Sequence, residues 1–262
     1  MSGFKYTPTY EHNNFNKKRF FSICIDDFFD DPDTIRKFAL SLPMDSDPNG
    51  EWPGKRTLPL HDIDFEFWNT LFLKILSAYF DLKHEEISWD NSAITFQKIS
   101  SYSKAKDDPI NVGWIHKDNN WDLAGLIYLT PNADKDCGTS LFNLDPEHEN
   151  SHLHIRQGAK NIWTTDSKDI DPKEYIKQLQ ENNNKFIEKT KFQNIYNRCI
   201  IYDANEYHRA NNFYTGSDDR LTCVFFLKGI QVGDQGNRFP QNRVVDTQNF
   251  DDKLKWRIEQ FK

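Results

Sequence analysis

The period of the hydrophobic positions changes along this chain, and the changes mark out its parts. Phe20-Phe21-Ser22-Ile23-Cys24-Ile25 is a short, mostly apolar run that predicts a strand. Acidic residues and Pro32 then stand ahead of Ile35, Phe38 and Ala39, which is the signature of a helix start. That helix should end near Leu42, because Pro43 disfavours helical geometry in the residue before it. Residues 43–60 are rich in Pro and Gly and read as an ordered loop containing Pro53-Gly54-Lys55-Arg56-Thr57. Phe65, Trp68, Leu71, Phe72, Ile75 and Phe80 fall at helical spacing and predict a second amphipathic helix.

From Ser88 the spacing becomes that of strands. Ala93–Ile99, Ala124–Leu129, Ile200–Tyr202 and Leu221–Leu227 are short apolar runs separated by turn signals at Pro131-Asn132, Cys137-Gly138 and Gly216-Ser217-Asp218. Helices first and strands afterwards predict a mostly β domain, a sandwich or barrel with helices packed outside. Residues 143–191 read as an insertion that includes a helix over roughly Pro172–Glu188. Its apolar positions Ile176, Leu179, Phe186 and Ile187 are sparse, so it should lie on the surface. A last helix is expected over Asp251–Phe261, and residues 1–19 form a polar lead-in.

Composition bounds this picture without redirecting it. A chain of 262 residues is long enough for one large domain or two small ones. Hydrophobic residues make up only 37%, but aromatics reach 15%, and each buried ring removes a large area from water. The formal charge is 33 − 40 = −7, and the only basic cluster, Lys17-Lys18-Arg19, is short, which excludes an extended nucleic-acid surface. Cys24, Cys137, Cys199 and Cys223 are isolated in sequence, which argues against a zinc ribbon or a redox dithiol. They read as reduced, mostly buried thiols of a cytoplasmic protein. No segment has the character of a signal peptide or approaches the ~20 apolar residues of a membrane span. The oligomeric state is not encoded in any feature of this kind.

Candidate chemistry gathers at a few polar positions in the strand-rich half. On an extended backbone, residues two apart point the same way, so His116 and Asp118 present an imidazole and a carboxylate together. These are two of the three ligands of a two-histidine, one-carboxylate metal site, and such a site leaves metal positions open. His208 follows the run Arg198–Asp203 after a short turn and can supply the third ligand. Arg220 opens the last strong strand, with Thr222 on the same face, and together they suit the distal carboxylate of a dicarboxylate. Trp114, Asn119, Asn120, Trp121 and Arg209 flank the proposed metal, and Arg56 is a candidate grip for an anionic substrate. His148, His152 and His154 form a rival histidine cluster, better read as a solvated loop or a substrate-contacting lid than as a second metal site.

In this order the motifs resemble the 2-oxoglutarate/iron(II) dioxygenase superfamily, in particular its prolyl-hydroxylase-like branch, over about Phe96 to Lys228. The family pattern falls on His116 and Asp118, on Tyr128-Leu129-Thr130, on Gly138 with Leu141 and Phe142, on His208, and on Arg220. Cys137 stands where the family has a second Gly, Thr130 where it has Asn, and the stretch between His208 and Arg220 is a little long. The front of the chain, with Asp27-Phe28-Phe29, Asp31-Pro32 and the Pro53–Thr57 loop, is similar to a less characterised subfamily of these oxygenases.

The resemblance implies a single oxygenase domain. Its core would be a double-stranded β-helix, the cupin-like jelly roll, over residues 88–230, with helical and loop support over 1–87 and a C-terminal extension over 231–262. It implies Fe(II) held by His116, Asp118 and His208, 2-oxoglutarate held by Arg220, Tyr128 and Thr222, O2 as oxidant, and release of succinate and CO2. The expected outcome is hydroxylation of a C–H bond in a peptide or small-molecule substrate. Two other readings stay open at this level. One is a non-catalytic jelly-roll module that binds a ligand or a protein, and the other is a cupin-type metalloenzyme that does not use 2-oxoglutarate.

Overall fold

Strand alternation sorts the side chains of the large sheet onto two cores. In the run Leu123–Tyr128, Leu123 and Ile127 pack into one cluster while Ala124, Leu126 and Tyr128 pack into another. The computed structural model describes residues 17–18, 22–80, 82–83, 86–149, 171–216, 218–232 and 243–244. Its strands are β1 (Lys17–Lys18), β2 (Ser22–Ile25), β3 (Asp45–Ser46), β4 (Lys55–Arg56), β5 (Ile87–Ser88), β6 (Asn91–Ile99) and β7 (Leu123–Tyr128). They continue with β8 (Thr139–Leu144), β9 (Phe186–Phe192), β10 (Cys199–Asp203), β11 (Tyr207–Ala210), β12 (Arg220–Lys228), β13 (Gln231–Val232) and β14 (Arg243–Val244). The helices are α1 (Pro32–Ser41), α2 (Leu60–Ile63), α3 (Phe65–Ser77) and α4 (Pro172–Asn183).

Seven strands form one sheet in the order β2-β10-β7-β12-β6-β4-β3, and β11-β8-β9 form a smaller one. Every pairing in both is antiparallel. The mostly β, antiparallel architecture expected from the run of short strands is therefore observed. β7 and β12 are the middle of the large sheet, and nearly all their residues are buried, as their unbroken apolar sequences require.

One face of the large sheet is covered by helices. Asp31 caps α1 by accepting from the Thr34 amide at 3.0 Å, and the helix stops at an extended Leu42 just before Pro43. Asp64 caps α3 through the Phe67 amide at 2.9 Å. Trp68, Leu71, Phe72, Ile75 and Leu76 of α3 then bury against Ile94, Phe96, Leu221, Cys223 and Phe225. On the opposite face Leu126, Tyr128, Ile200, Tyr202 and Val224 meet Leu141 and Phe192 of the small sheet. The candidate site lies in this second layer. Asn197, in a left-handed conformation (φ 64°), ties the connection between β2 and α1 to the sheet by bonding both the amide and the carbonyl of Phe29 at 2.8 Å.

The region read as an insertion differs from expectation in two ways. Its helix ends at Asn183 instead of Glu188, and Phe186 and Ile187 belong to β9, paired with β8. Two apolar residues in succession fit a strand edge as well as a helix face, so period alone did not separate the two. Nor is the helix a surface element. Tyr175 and Leu179 are buried and form a third core with Trp114, joined by Tyr102, Ile110, Val112 and Ile176. The partners come from a distant segment, which the local pattern of the helix does not reveal. The expected C-terminal helix Asp251–Phe261 and most of the lead-in lie outside the described residues, and no helix among the described residues is long and apolar enough to cross a membrane.

The buried face of α4 generates a stability prediction. Leu179→Ala should lower unfolding free energy by about 2–5 kcal/mol in chemical denaturation, the cost of emptying a packed leucine site. A leucine on a solvated helix would cost well under ~1 kcal/mol.

Candidate metal centre

Backbone hydrogen bonds assemble the centre before any side chain acts. Residues 113–118 run antiparallel beside β11. Gly113 donates to Ala210 O (3.0 Å), His116 and His208 exchange both amide bonds (3.1 and 2.9 Å), and Asp118 donates to Ala204 O (2.9 Å). Gly113 is needed there, since a Cβ would stand 2.5 Å from the Ala210 carbonyl oxygen. The reciprocal pairing puts His116 directly opposite His208, and alternation brings Asp118 to the same side. The ring centroids of the two histidines are 4.4 Å apart.

The rings are oriented by their outer nitrogens. Nδ1 of His116 lies 2.7 Å from the Trp114 carbonyl oxygen, and Nδ1 of His208 lies 2.9 Å from that of Glu206. A carbonyl only accepts, so in the neutral rings Nδ1 carries the proton and Nε2 presents its lone pair. Metal-bound histidines have this arrangement, with the second nitrogen tied to an outer acceptor. Both Nε2 atoms point at Asp118, at 3.7 Å from Oδ1 for His116 and 3.1 Å from Oδ2 for His208. The three donor atoms lie within 4.8 Å of one another, a spacing that one small cation can bridge. The residues present therefore fit a divalent transition metal. Among the described residues this is the one histidine, cysteine or carboxylate cluster so arranged.

A second polar group lies deeper between the sheets. Arg220 is 2% exposed, its Nε donates weakly to Cys137 O at 3.4 Å, and its Nη2 has no hydrogen-bond partner among the described residues. Thr222, fully buried on the same face of β12, has an Oγ1 likewise without a partner. A buried guanidinium and a buried hydroxyl left unbonded are costly unless an absent acceptor completes them. Asp218, a conceivable partner for Arg220, pairs instead with Arg36 at 3.4 Å. The fit to a carboxylate is good: it supplies in-plane acceptors for the guanidinium and one for the hydroxyl.

Tyr128 stands opposite Thr222 in the ladder, its ring centroid 5.6 Å from the Arg220 guanidinium and its hydroxyl donating to Thr139 Oγ1 at 3.0 Å. Burial pushes its phenol up to about 12, so it stays a neutral hydroxyl at ordinary pH.

The six residues expected from sequence to hold metal and co-substrate thus border one region, and four others also shape it. Thr130 donates to Asp219 O (3.0 Å) and accepts from the Leu221 amide (2.8 Å), which fixes the entry to β12 and with it Arg220. Tyr202 packs its ring 4.8 Å from that of His208. Asn183 accepts from the Ile115 amide (2.9 Å) and donates to Gly113 O (3.0 Å), while Asn182 donates to Ile115 O (3.2 Å). The end of α4 is thereby clamped to the segment that carries His116. Only Tyr202 had a usable signal, its alternation with Ile201 on β10; the others act through long-range contacts.

Of the flanking residues, Trp114 belongs to the third core, and Arg209 lies over the Phe142 ring at 5.1 Å. In the rival cluster His148 is in a single 3-10 turn, and His152 and His154 lie outside the described residues. A cavity of about 900 Å³ opens over the three metal-site residues and is bordered by Arg220, Tyr202, Trp121 and Phe226.

Comparison with known proteins gives a family and several distant solved structures. A family profile described as "Family of unknown function (DUF6445)" matches residues 7–212. No curated protein matches the sequence. A prolyl hydroxylase from Trichoplax adhaerens, solved with a hypoxia inducible factor peptide fragment, is 14% identical, with TM-score 0.45 over 83% of this chain and 86% of that one. HygX from Streptomyces hygroscopicus, solved with nickel, 2-oxoglutarate and hygromycin B, is 13% identical, with TM-score 0.45 over 79% and 83%. EvdO2 from Micromonospora carbonacea var. aurantiaca is 13% identical, with TM-score 0.46 over 89% and 97%.

The donor geometry predicts that the protein binds one equivalent of Fe(II) or Co(II) in calorimetry. His116→Ala and His208→Ala should each weaken binding by at least about 100-fold, more than the roughly 10–100-fold cost of losing an outer-shell partner. Equal affinity in either variant would show that the metal is held elsewhere.

Proposed function

The chain belongs to the family of unknown function DUF6445, and we propose that it acts as an Fe(II)- and 2-oxoglutarate-dependent dioxygenase that hydroxylates a C–H bond of a peptidyl or small-molecule substrate. One observation carries this reading. A two-histidine, one-carboxylate donor set shares its cavity with the buried Arg220, whose Nη2 has no hydrogen-bond partner among the described residues, and the similarly unbonded Thr222 hydroxyl lies on the same face of β12. The facing antiparallel sheets fit a double-stranded β-helix core, with the site between them.

When bound, iron with 2-oxoglutarate and O2 supplies the oxidising power, and succinate and CO2 leave as co-products. The chain's own residues do the rest. His116, His208 and Asp118 would hold the metal, and all three border the cavity. Arg220 and Thr222 would hold the distal carboxylate of 2-oxoglutarate and so restrict its orientation in the cavity. Tyr128 backs the guanidinium with its ring and keeps a neutral hydroxyl beside the carboxylate. Buried walls of Leu126, Tyr202 and Val224 exclude water from the reaction.

The two competing readings each leave something costly unexplained. A cupin-type enzyme without 2-oxoglutarate gives Arg220 and Thr222 nothing to bond. A non-catalytic module has no use for two histidines oriented Nε2-inward on one carboxylate. Four free cysteines, three of them buried, suit a reducing compartment, and we place the protein in the cytoplasm.

The assay is substrate-uncoupled conversion of 2-oxoglutarate to succinate. Turnover should require Fe(II), and Asp118→Ala should abolish it. Arg220→Ala should raise the KM for 2-oxoglutarate by roughly two orders of magnitude, the worth of a charge-assisted bidentate grip, with a smaller effect on kcat. Absence of both binding and turnover with iron present would refute the reading.

A further inference from the structure

The pairing that sets His116 against His208 also builds the reverse side of the same strands. Where the two histidines turn inward their neighbours turn outward, so the register places Lys117 beside Tyr207 and Ile115 beside Arg209. Lys117 Nζ accordingly lies 4.3 Å from the Tyr207 ring centroid. In the next ladder Tyr207 stands opposite Phe142, and Arg209 opposite Ser140. The Arg209 guanidinium is 5.1 Å from the Phe142 ring centroid, and Phe186 of β9 packs on Tyr207 at 4.7 Å. These contacts define an outer face of the small sheet, and the strands themselves separate it from the metal ligands.

This face is cationic and incompletely bonded. Neither Lys117 nor Arg209 has an ion pair or a side-chain hydrogen bond among the described residues, and Arg209 Nε is buried without a partner. Glu188, exposed on β9, acts on Arg209 only through space. Ser140, opposite Arg209 and 0% exposed, has an Oγ that is likewise unbonded. Water meets the hydrogen bonds of such groups but not their charge. Phe142 covers one face of the guanidinium and leaves its rim for in-plane acceptors, an arrangement that suits carboxylate or phosphate. Ile115, Lys117, Asn182, Phe186, Tyr207 and Arg209 all border the cavity of about 900 Å³, so this side is open to a ligand.

We propose that the outer face of the small sheet is a second ligand site, distinct from the metal centre, where Arg209 and Lys117 bind the carboxylate or phosphate of a small organic anion. The Ser140 hydroxyl is a further donor to the head group, and Tyr207 with Phe186 offers a surface for a flat or apolar body. Because this face points away from His116, Asp118 and His208, the anion held here is not the molecule oxidised at the metal. The site uses none of the residues that carry the dioxygenase reading and stands without it.

The test is calorimetric titration of the full chain with three probes: benzoate, phenyl phosphate and uncharged benzyl alcohol. At least one anion should bind about tenfold more tightly than benzyl alcohol, the worth of one charge-assisted hydrogen bond, and which one does so separates carboxylate from phosphate. Arg209→Gln should erase that preference, and Lys117→Gln should reduce it about threefold. Arg220→Gln, which alters the inner cavity, should leave it intact.

Anions that bind no better than benzyl alcohol, or a preference unaltered in Arg209→Gln, would overturn the assignment. A preference lost in Arg220→Gln instead puts the anion beside the metal centre and overturns it too, while leaving the dioxygenase reading in force. If Arg209→Gln does not fold, Arg209→Lys and Lys117→Gln decide the matter. A reduced preference in both supports the site, and an unaltered one in either refutes it. Absence of 2-oxoglutarate turnover with iron present bears on the dioxygenase reading alone.

Discussion

The reciprocal backbone pair between His116 and His208 is the constraint on which the candidate site depends. Two amide bonds, 3.1 and 2.9 Å long, fix the register of a short edge segment against β11. A slip of one residue would turn His116 and Asp118 to the other side of the strand and remove two of the three candidate ligands at once. Because metal ligation tolerates little displacement, the register has to be enforced from outside the site. Gly113 allows the close approach, and Asn182 and Asn183 seal the segment's opposite edge. The imidazoles are then oriented by carbonyls only two residues away, those of Trp114 and Glu206. Ligand geometry is thus written largely in main-chain bonds, which are short, directional and insensitive to neighbouring side chains.

The second constraint is electrostatic. Leaving a guanidinium nearly fully buried with an unbonded nitrogen opposes folding, and evolution could have removed it with a leucine at little cost to packing. Retention of that cation beside an unbonded Thr222 hydroxyl makes sense if stability is surrendered locally for binding, as at preorganised sites. Arg220 is sealed between the sheets, on the same face of β12 as Thr222.

Much of this was legible in the sequence, and for identifiable reasons. Short apolar runs bounded by turn residues, and the order of polar residues at strand ends, depend on neighbours in the chain, so β6, β7, β10 and β12 and the candidate set His116, Asp118, His208 and Arg220 could be picked out directly. The end of α1 at Leu42 followed from Pro43 alone. What failed depended on distant partners. Phe186 and Ile187 were assigned to a helix because their pairing with Leu144 and Asn143 lies more than forty residues back. Leu179 looked like part of a sparse surface stripe because Trp114, its core partner, is contributed by the metal-site segment. Thr130 read as a mild departure from a family pattern, yet it bonds both sides of the turn that delivers Arg220.

These failures share a location, and that has a consequence for how the protein works. The elements misread from sequence, α4 and β9, are the ones that brace the small sheet and the edge segment, and so they brace the half of the centre that carries the histidines. The large sheet and its helical layer, read easily, carry Arg220, Thr222 and Tyr128. The candidate metal ligands and the residues proposed for the dicarboxylate therefore stand on different sheets, joined across the second core where Tyr128 reaches Thr139 and Tyr202 packs on His208. A ligand that engaged both Arg220 and the candidate metal site would bridge the two sheets, so that its binding energy would also stabilise their packing.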